Sequence, residues 1–304
     1  MSSSVLFDAP GPKTKRLYAV IGAASIVVVL LGLWFVISKL EEKGQLTKAK
    51  WEPFLTGEIW TEYLIPGLIG TLVAAAISVV LALTIGVLLG VGRLSRQTWI
   101  RWPSGVIVEF FRAVPVLLMM LFTYALYAFY EVFPPDRLAL AAVVTGLTLY
   151  NGSVVAELVR SGVHSLPKGQ NEAALAIGLT EGKTMRLVLL PQAITAMLPA
   201  IVGQLVVVLK DTALGYIITY EELLRKAEQI GNYKSNLLPA LIVVGAIFVI
   251  VNYFVSLLAQ FVEGRMRRRG RSAGGPIAPD QLDQAAAATA AQAADPDSVG
   301  GVPR

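Results

Sequence analysis

Few residues in this chain could do chemistry, and their placement limits what that chemistry is. Cysteine is absent and histidine occurs once, at His164. Without thiols there is no disulfide framework, thiolate metal site or cysteine nucleophile. A His-ligated metal centre or a Ser-His-Asp arrangement would rest on that single imidazole, and a polar side chain at a membrane interface is the simpler reading of it. The run Gly178-Leu-Thr-Glu-Gly182-Lys183-Thr184 resembles the phosphate loop G-x-x-x-x-G-K-[ST] but is one residue short, and no strand pattern precedes it. ATP is not expected to bind there, and no metal or cofactor is implied. What remains is charge set in or beside apolar sequence: Arg112 near Glu109, Glu157 near Arg160, and the pair Lys210-Asp211. Ionisable groups within a span are costly in lipid, so they are candidates for contact with a transported solute. Lys210 could meet a carboxylate and Asp211 an amino group. A local ion pair, or anchors near the outer surface, would account for the same two residues.

The elements that position these groups are membrane spans. Hydrophobic residues make up 55% of the 304 and charged residues 15%, against about 25% charged in a soluble domain. The apolar residues fall into long runs, and about 20 of them in a helix cover the ~30 Å hydrocarbon core. Spans are expected at Leu17 to Ser38, Leu64 to Gly92, Ala113 to Tyr130, Leu138 to Arg160, Gln192 to Ile218 and Leu237 to Val262. The first is longer than the roughly 7 to 15 residues of a signal-peptide core and ends in Ser-Lys-Leu-Glu-Glu, so it reads as a retained helix. The sequon-like Asn151-Gly-Ser153 falls inside a span and reads as chance.

Basic residues set the orientation, because cytoplasmic loops are rich in Lys and Arg. With the N-terminus inside, inner segments hold fifteen such residues and outer segments eight. Both termini are therefore expected in the cytoplasm. The net charge of +5 is spread along the flanks of the spans and forms no continuous stripe, so nucleic acid is not expected as a partner. Residues 1–16 form the inner N-terminus, 17–38 a first span, 39–63 an outer loop and 64–265 the main body. Residues 270–304, rich in Ala, Gly, Pro, Gln and Asp, read as a disordered tail.

Before the third span, Trp99, Trp102, Ile107, Phe110 and Phe111 alternate with Arg101, Glu109 and Arg112. Gln97 to Phe111 fits a helix lying along the inner membrane surface, with the chain turning inward near Pro115. The alternative is a span from Pro103, which would carry Glu109 and Arg112 into lipid as a pair.

The loop 165–191, between the fourth and fifth spans, is too polar to cross. Gln170 to Ile177 suits a helix, Gly178 a left-handed helix end, and Thr180 an N-cap for a second helix that Pro191 closes. In that second helix Met185, Val188 and Leu189 form an apolar stripe beside Glu181, Lys183 and Arg186. The pair of short helices could lie on the inner leaflet or grip a partner.

Here a family resemblance enters. Glu172, Ala173, Ala174, Gly178, Leu190 and Pro191, with Val188 where isoleucine is usual, resemble the E-A-A-x-x-x-G, nine residues, I-x-L-P loop of ABC importer permeases. Glu109-Phe-Phe-Arg112-Ala-Val-Pro115, Ala156-Glu157-Leu-Val-Arg160-Ser-Gly162, Pro167-Lys-Gly169-Gln170 and Lys210-Asp211-Thr-Ala213-Leu extend the likeness to the polar amino-acid uptake branch. The opening Val5-Leu-Phe-Asp8-Ala-Pro10-Gly-Pro12 resembles actinobacterial glutamate-uptake permeases.

The resemblance implies an all-α integral membrane protein with a five-span permease core plus one N-terminal span, six helices in total. It implies that the loop seats on a separate ATPase subunit, whose closure on ATP alternates access between the two faces. Glu172, Ala173, Ala174, Gly178, Val188 and Pro191 would shape that joint, with Lys183 and Arg186 pairing with acids on the ATPase. It further implies a second permease chain, identical or related, and an extracytoplasmic amino-acid-binding protein. Arg112, Glu157, Lys210 and Asp211 are the candidates along the solute path. The chain would be a transport subunit rather than an enzyme, in the plasma membrane of a bacterium. An ion-coupled carrier is the competing class, but the paired broken helices and deep acids of such carriers are not evident in the sequence.

Overall fold

The computed structural model describes residues 11–271. The opening Val5 to Pro10 and the tail from residue 272 lie outside the described residues. Among the described residues every regular element is helical. They are α1 (Pro12–Glu42), α2 (Gly57–Arg93), α3 (Thr98–Ala113), α4 (Val116–Phe129), α5 (Pro135–His164), α6 (Lys168–Ala176), α7 (Glu181–Ile218), α8 (Leu223–Lys234) and α9 (Leu237–Arg271). Short turns over Lys48–Trp51 and Glu52–Leu55 lead into α2.

Among the described residues five helices, α1, α2, α5, α7 and α9, are long and apolar enough to cross a membrane, and α3 with α4 supply a sixth crossing if the pair counts as one. With 14 residues α4 reaches about 21 Å, short of the ~30 Å core. The break between α3 and α4 falls at Val114, which takes extended backbone (φ −84°, ψ 128°) because the ring of Pro115 disfavours helical geometry before it. The expected turn near Pro115 is thus present. No residue of α1 is buried, which lipid tolerates because acyl chains are as apolar as its side chains.

Pro191 does not close a helix, contrary to the expectation from sequence. Met185–Leu189 widen into a π turn and the helix runs on through Pro191 to Ile218. The same arrangement precedes Pro66, where Trp60–Leu64 form a π turn inside α2. A proline ring clashes with the carbonyl four residues back and leaves it without a donor; a π turn, with its longer hydrogen-bond span, opens the backbone at that point.

The chain divides into two compact units. In the first (residues 11–80, 115–148 and 208–251), Phe54, Ile59, Leu64, Leu223, Ala227, Ile230, Ala240 and Val244 form a buried core. In the second (81–114, 149–207 and 252–271), the C-terminal halves of α2 and α5 come into backbone contact. A Cβ at Gly86 would lie 2.8 Å from the Gly152 carbonyl, and one at Gly90 2.8 Å from that of Ala156. Only glycine permits that approach, and it brings Arg93 beside Glu157.

Candidate functional site

The polar loop is built by two local signals. Helix α6 ends in a Schellman motif: the Leu179 N–H donates to the Ala174 carbonyl (3.2 Å) and the Gly178 N–H to that of Leu175 (3.0 Å). Gly178 adopts φ +84°, a conformation that costs a residue with a Cβ roughly 1–2 kcal/mol. Thr180 occupies the N-cap position of α7 in extended backbone, but its hydroxyl makes no cap bond; its carbonyl accepts from the Thr184 N–H at 2.8 Å. The expected side-chain cap is therefore absent.

Helix α6 packs on the π turn, and this decides which faces remain open. Ala174 and Leu189 are buried, Met185 and Val188 half-buried. The apolar stripe of Met185, Val188 and Leu189 is thus turned toward the chain itself. The exposed apolar side chains are Ile177 and Leu187, at 78% and 62%. Around them Glu172, Ala173, Lys183, Arg186 and Pro191 are exposed, and the Glu172 carboxylate has no hydrogen-bond or ion-pair partner among the described residues. Glu181 pairs with Arg96, and Gln192 donates to Gln170 at 3.2 Å, which ties the loop to its own unit.

Still in the second unit, two of the sequence motifs converge on Glu157. Its carboxylate accepts from Arg93 at 2.7 Å and from Arg160 at 2.6 Å, with Arg112 farther off at 3.6 Å. Arg93 also holds Glu109 at 2.8 Å. The Glu157 to Arg160 pair is one helical turn of α5, so sequence spacing foretells it. The role of Arg93 does not show in the sequence, where it reads only as an inner-flank charge. A cavity of about 440 Å³ lined by Glu109, Arg112, Ala113, Tyr150, Val154, Glu157 and Leu158 opens beside the cluster. Of the three arginines Arg112 is the most loosely held, and its guanidinium is the one best placed to turn to another anion. Nearby, the Gln204 amide donates to buried Asn151. Full burial of Asn151 removes it as a glycosylation acceptor.

Lys210 and Asp211 sit in the first unit, toward the C-terminal end of α7, with Lys210 exposed and Asp211 half-buried. In the same unit lies a glutamate whose role sequence reading missed. Glu222 is fully buried, and its two carboxylate oxygens accept from the N–H groups of Arg225 (2.6 Å) and Leu224 (2.8 Å), capping α8. Tyr220 donates to the Gly70 carbonyl at 2.7 Å, and the Leu223 N–H to the Thr71 hydroxyl at 3.2 Å. Burial pushes the Glu222 carboxyl up to about 7, against the two backbone donors and with help from neighbouring Glu221. Burial likewise lifts the Tyr220 phenol to about 12.

Residues 82–268 match the family of binding-protein-dependent transport system inner membrane components. The chain belongs to this family. It is 49% identical over 247 residues to the glutamate transport system permease protein GluD of Corynebacterium glutamicum, covering 81% of this chain and 90% of that one. With the glutamate/aspartate import permease protein GltK of Escherichia coli it shares 28% identity over 67% of this chain and 93% of the relative. The crystal structure of an amino acid ABC transporter with histidines superposes with a TM-score of 0.62 at 30% identity, covering 68% of this chain and 95% of that one. This binding-protein-dependent permease is therefore a multi-pass helical transport subunit of an amino-acid ABC importer, not itself an enzyme.

Proposed function

We propose that this permease imports glutamate or a closely related amino acid across a bacterial plasma membrane, with both termini cytoplasmic and a separate ATPase docked on 165–191. The observation that carries the docking is the open face of the loop: Ile177 and Leu187 stand exposed beside Glu172, Lys183 and Arg186, while the left-handed Gly178 fixes the angle between the two helices. Apolar side chains ringed by charge are the composition of a protein interface, and water leaves them once a cleft closes over them. A second permease chain encloses the path, and an extracytoplasmic binding protein delivers the amino acid. Along the path, Arg112 offers a guanidinium to a substrate carboxylate and Glu157 or Glu109 a carboxylate to the ammonium. Lys210 and Asp211 supply the same complementary pair in the outer part of α7. The glutamate assignment draws on the relationship to GluD.

The test is uptake of labelled glutamate in cells carrying Gly178→Asp. The variant is expected to reach the membrane at wild-type abundance and to lose ATP-driven uptake. Wild-type uptake by Gly178→Asp would refute the docking role.

A further inference from the structure

Helix α3 carries a second feature that solute transport and ATPase docking leave unused. Ser104 and Val108 are buried, and on the opposite side Trp99, Trp102, Val106 and Phe110 form an exposed stripe at spacings of three and four, 48% to 73% accessible. Along one flank runs a groove of about 700 Å³ lined by Arg93, Thr98, Arg101, Trp102, Gly105, Val106, Glu109, Phe110 and Arg160. Gly105 leaves its floor open, since a Cβ there would meet nothing within 4 Å.

Charge in the groove is unbalanced. Arg93, Arg112 and Arg160 share two carboxylates, Glu109 and Glu157. Arg101 adds another cation, exposed and in no ion pair among the described residues. Three of these arginines line the groove against one glutamate. An occupant must therefore present an anion at one end and hydrocarbon along the other. Tryptophan side chains favour the headgroup level of a bilayer, which places the stripe at the depth where one molecule meets both demands.

We propose that the groove on α3 is a binding site for an anionic phospholipid, with its phosphate held by Arg101 at the rim of the Arg93–Arg160 cluster and its acyl chains lying along Trp102, Val106 and Phe110. Neutral lipid satisfies the stripe but not the surplus guanidinium charge. A free phosphate satisfies the charge but leaves the aromatic face uncovered. The site shares Glu109 with the cavity beside Arg112, so lipid occupancy is positioned to stabilise the ion cluster that lines that cavity.

The experiment uses the full permease copurified with its ATPase, in detergent containing equimolar phosphatidylglycerol and phosphatidylcholine, with retained lipid counted by native mass spectrometry. Wild type is expected to retain phosphatidylglycerol preferentially, and Arg101→Gln to lower that retention about five-fold, the effect of one basic residue near an anionic lipid. Gly105→Leu, which fills the groove and removes no charge, is expected to lower retention as well, while Arg137→Gln, at the opposite end of α5, leaves it unchanged. Equal retention of the two lipids by wild type, or unchanged retention in both Arg101→Gln and Gly105→Leu, would overturn the proposal. So would a disulfide between Trp102→Cys in two copies of the chain, which contains no other cysteine, because it would show the stripe covered by protein. Lipid retention is read without turnover and stands apart from the ATPase-docking reading.

Discussion

The connection from α5 to α7 and the connection from α7 to α9 are built from similar parts. Each holds a short helix, α6 or α8, that ends in a left-handed residue, Gly178 at φ +84° or Ser235 at φ +52°. Each carries a glutamate near that helix, Glu172 or Glu222. Their surroundings are opposite. Glu172 is exposed and unengaged, whereas Glu222 is sealed in the core and gives both oxygens to the N-terminus of α8. The Gly178 end is closed only by its own backbone bonds, while Ser235 and Asn236 are bonded to Lys50, through Lys50 Nζ to the Ser235 carbonyl (2.6 Å) and the Asn236 amide to the Lys50 carbonyl (3.0 Å). One connection spends its polar groups on its own fold. The other leaves Glu172, Lys183 and Arg186 exposed, as a surface open to a second protein would.

Removing each carboxylate breaks the comparison most sharply. Glu222→Ala strands two half-buried N–H donors and opens a void, with an expected loss of about 2 kcal/mol or more; a thermal unfolding scan of the purified complex measures it. Glu172→Ala is expected to leave the unfolding midpoint unchanged and to reduce uptake. A lowered midpoint in Glu172→Ala and an unchanged one in Glu222→Ala would invert the assignment.

Protonation gives a second contrast of similar size. The Glu222 carboxyl titrates near 7 in the folded chain, above its ordinary value of 4.5. Between those values the folded state holds more protons than the unfolded, so this group's contribution is complete below about 4.5 and is lost as the pH rises through about 7. The loss is about 3 kcal/mol at full effect. Wild type is expected to lose more stability between pH 5 and pH 8 than Glu222→Gln, which stays neutral throughout. Parallel pH profiles for the two proteins would contradict the burial argument.

The smallest effects come from exchanging the two helix ends. Ser235→Gly relieves a left-handed residue that bears a Cβ, and Gly178→Ser imposes one, each by roughly 1–2 kcal/mol and with opposite sign. The first is expected to raise the unfolding midpoint slightly without changing uptake. The second is expected to lower uptake more than its small stability cost explains. In the same range, Arg112→Gln is expected to raise the apparent KM for an acidic amino acid several-fold, as loss of one charge-assisted bond would; an unchanged KM would remove Arg112 from the path.

These contrasts also mark what sequence could and could not foretell. Long apolar runs specify the spanning helices because lipid leaves the backbone no other solution. The break at Pro115 and the turn at Gly178 follow from single residues with fixed backbone demands. Pro191 misled because a proline's local rule predicts a stop, while a π turn over Met185–Leu189 lets the helix continue. The stripe Met185, Val188 and Leu189 was correctly apolar, but periodicity says only that a face is buried and not against what. Arg93 and Glu222 were hidden for one shared reason. Each is a charge near the end of a span, and only the close approach at Gly86 and Gly90, or the fold of α8, turns it into a paired group.

The direct test of docking places a single thiol on each connection of a chain that has none. Ile177→Cys and Tyr233→Cys introduce comparably exposed cysteines, at positions 78% and 59% accessible, on the two connections. With a short bifunctional maleimide and the assembled transporter, Ile177→Cys is expected to form a covalent adduct with the ATPase subunit, its yield changing on ATP binding, and Tyr233→Cys none. An ATPase adduct at Tyr233→Cys and none at Ile177→Cys would contradict the account.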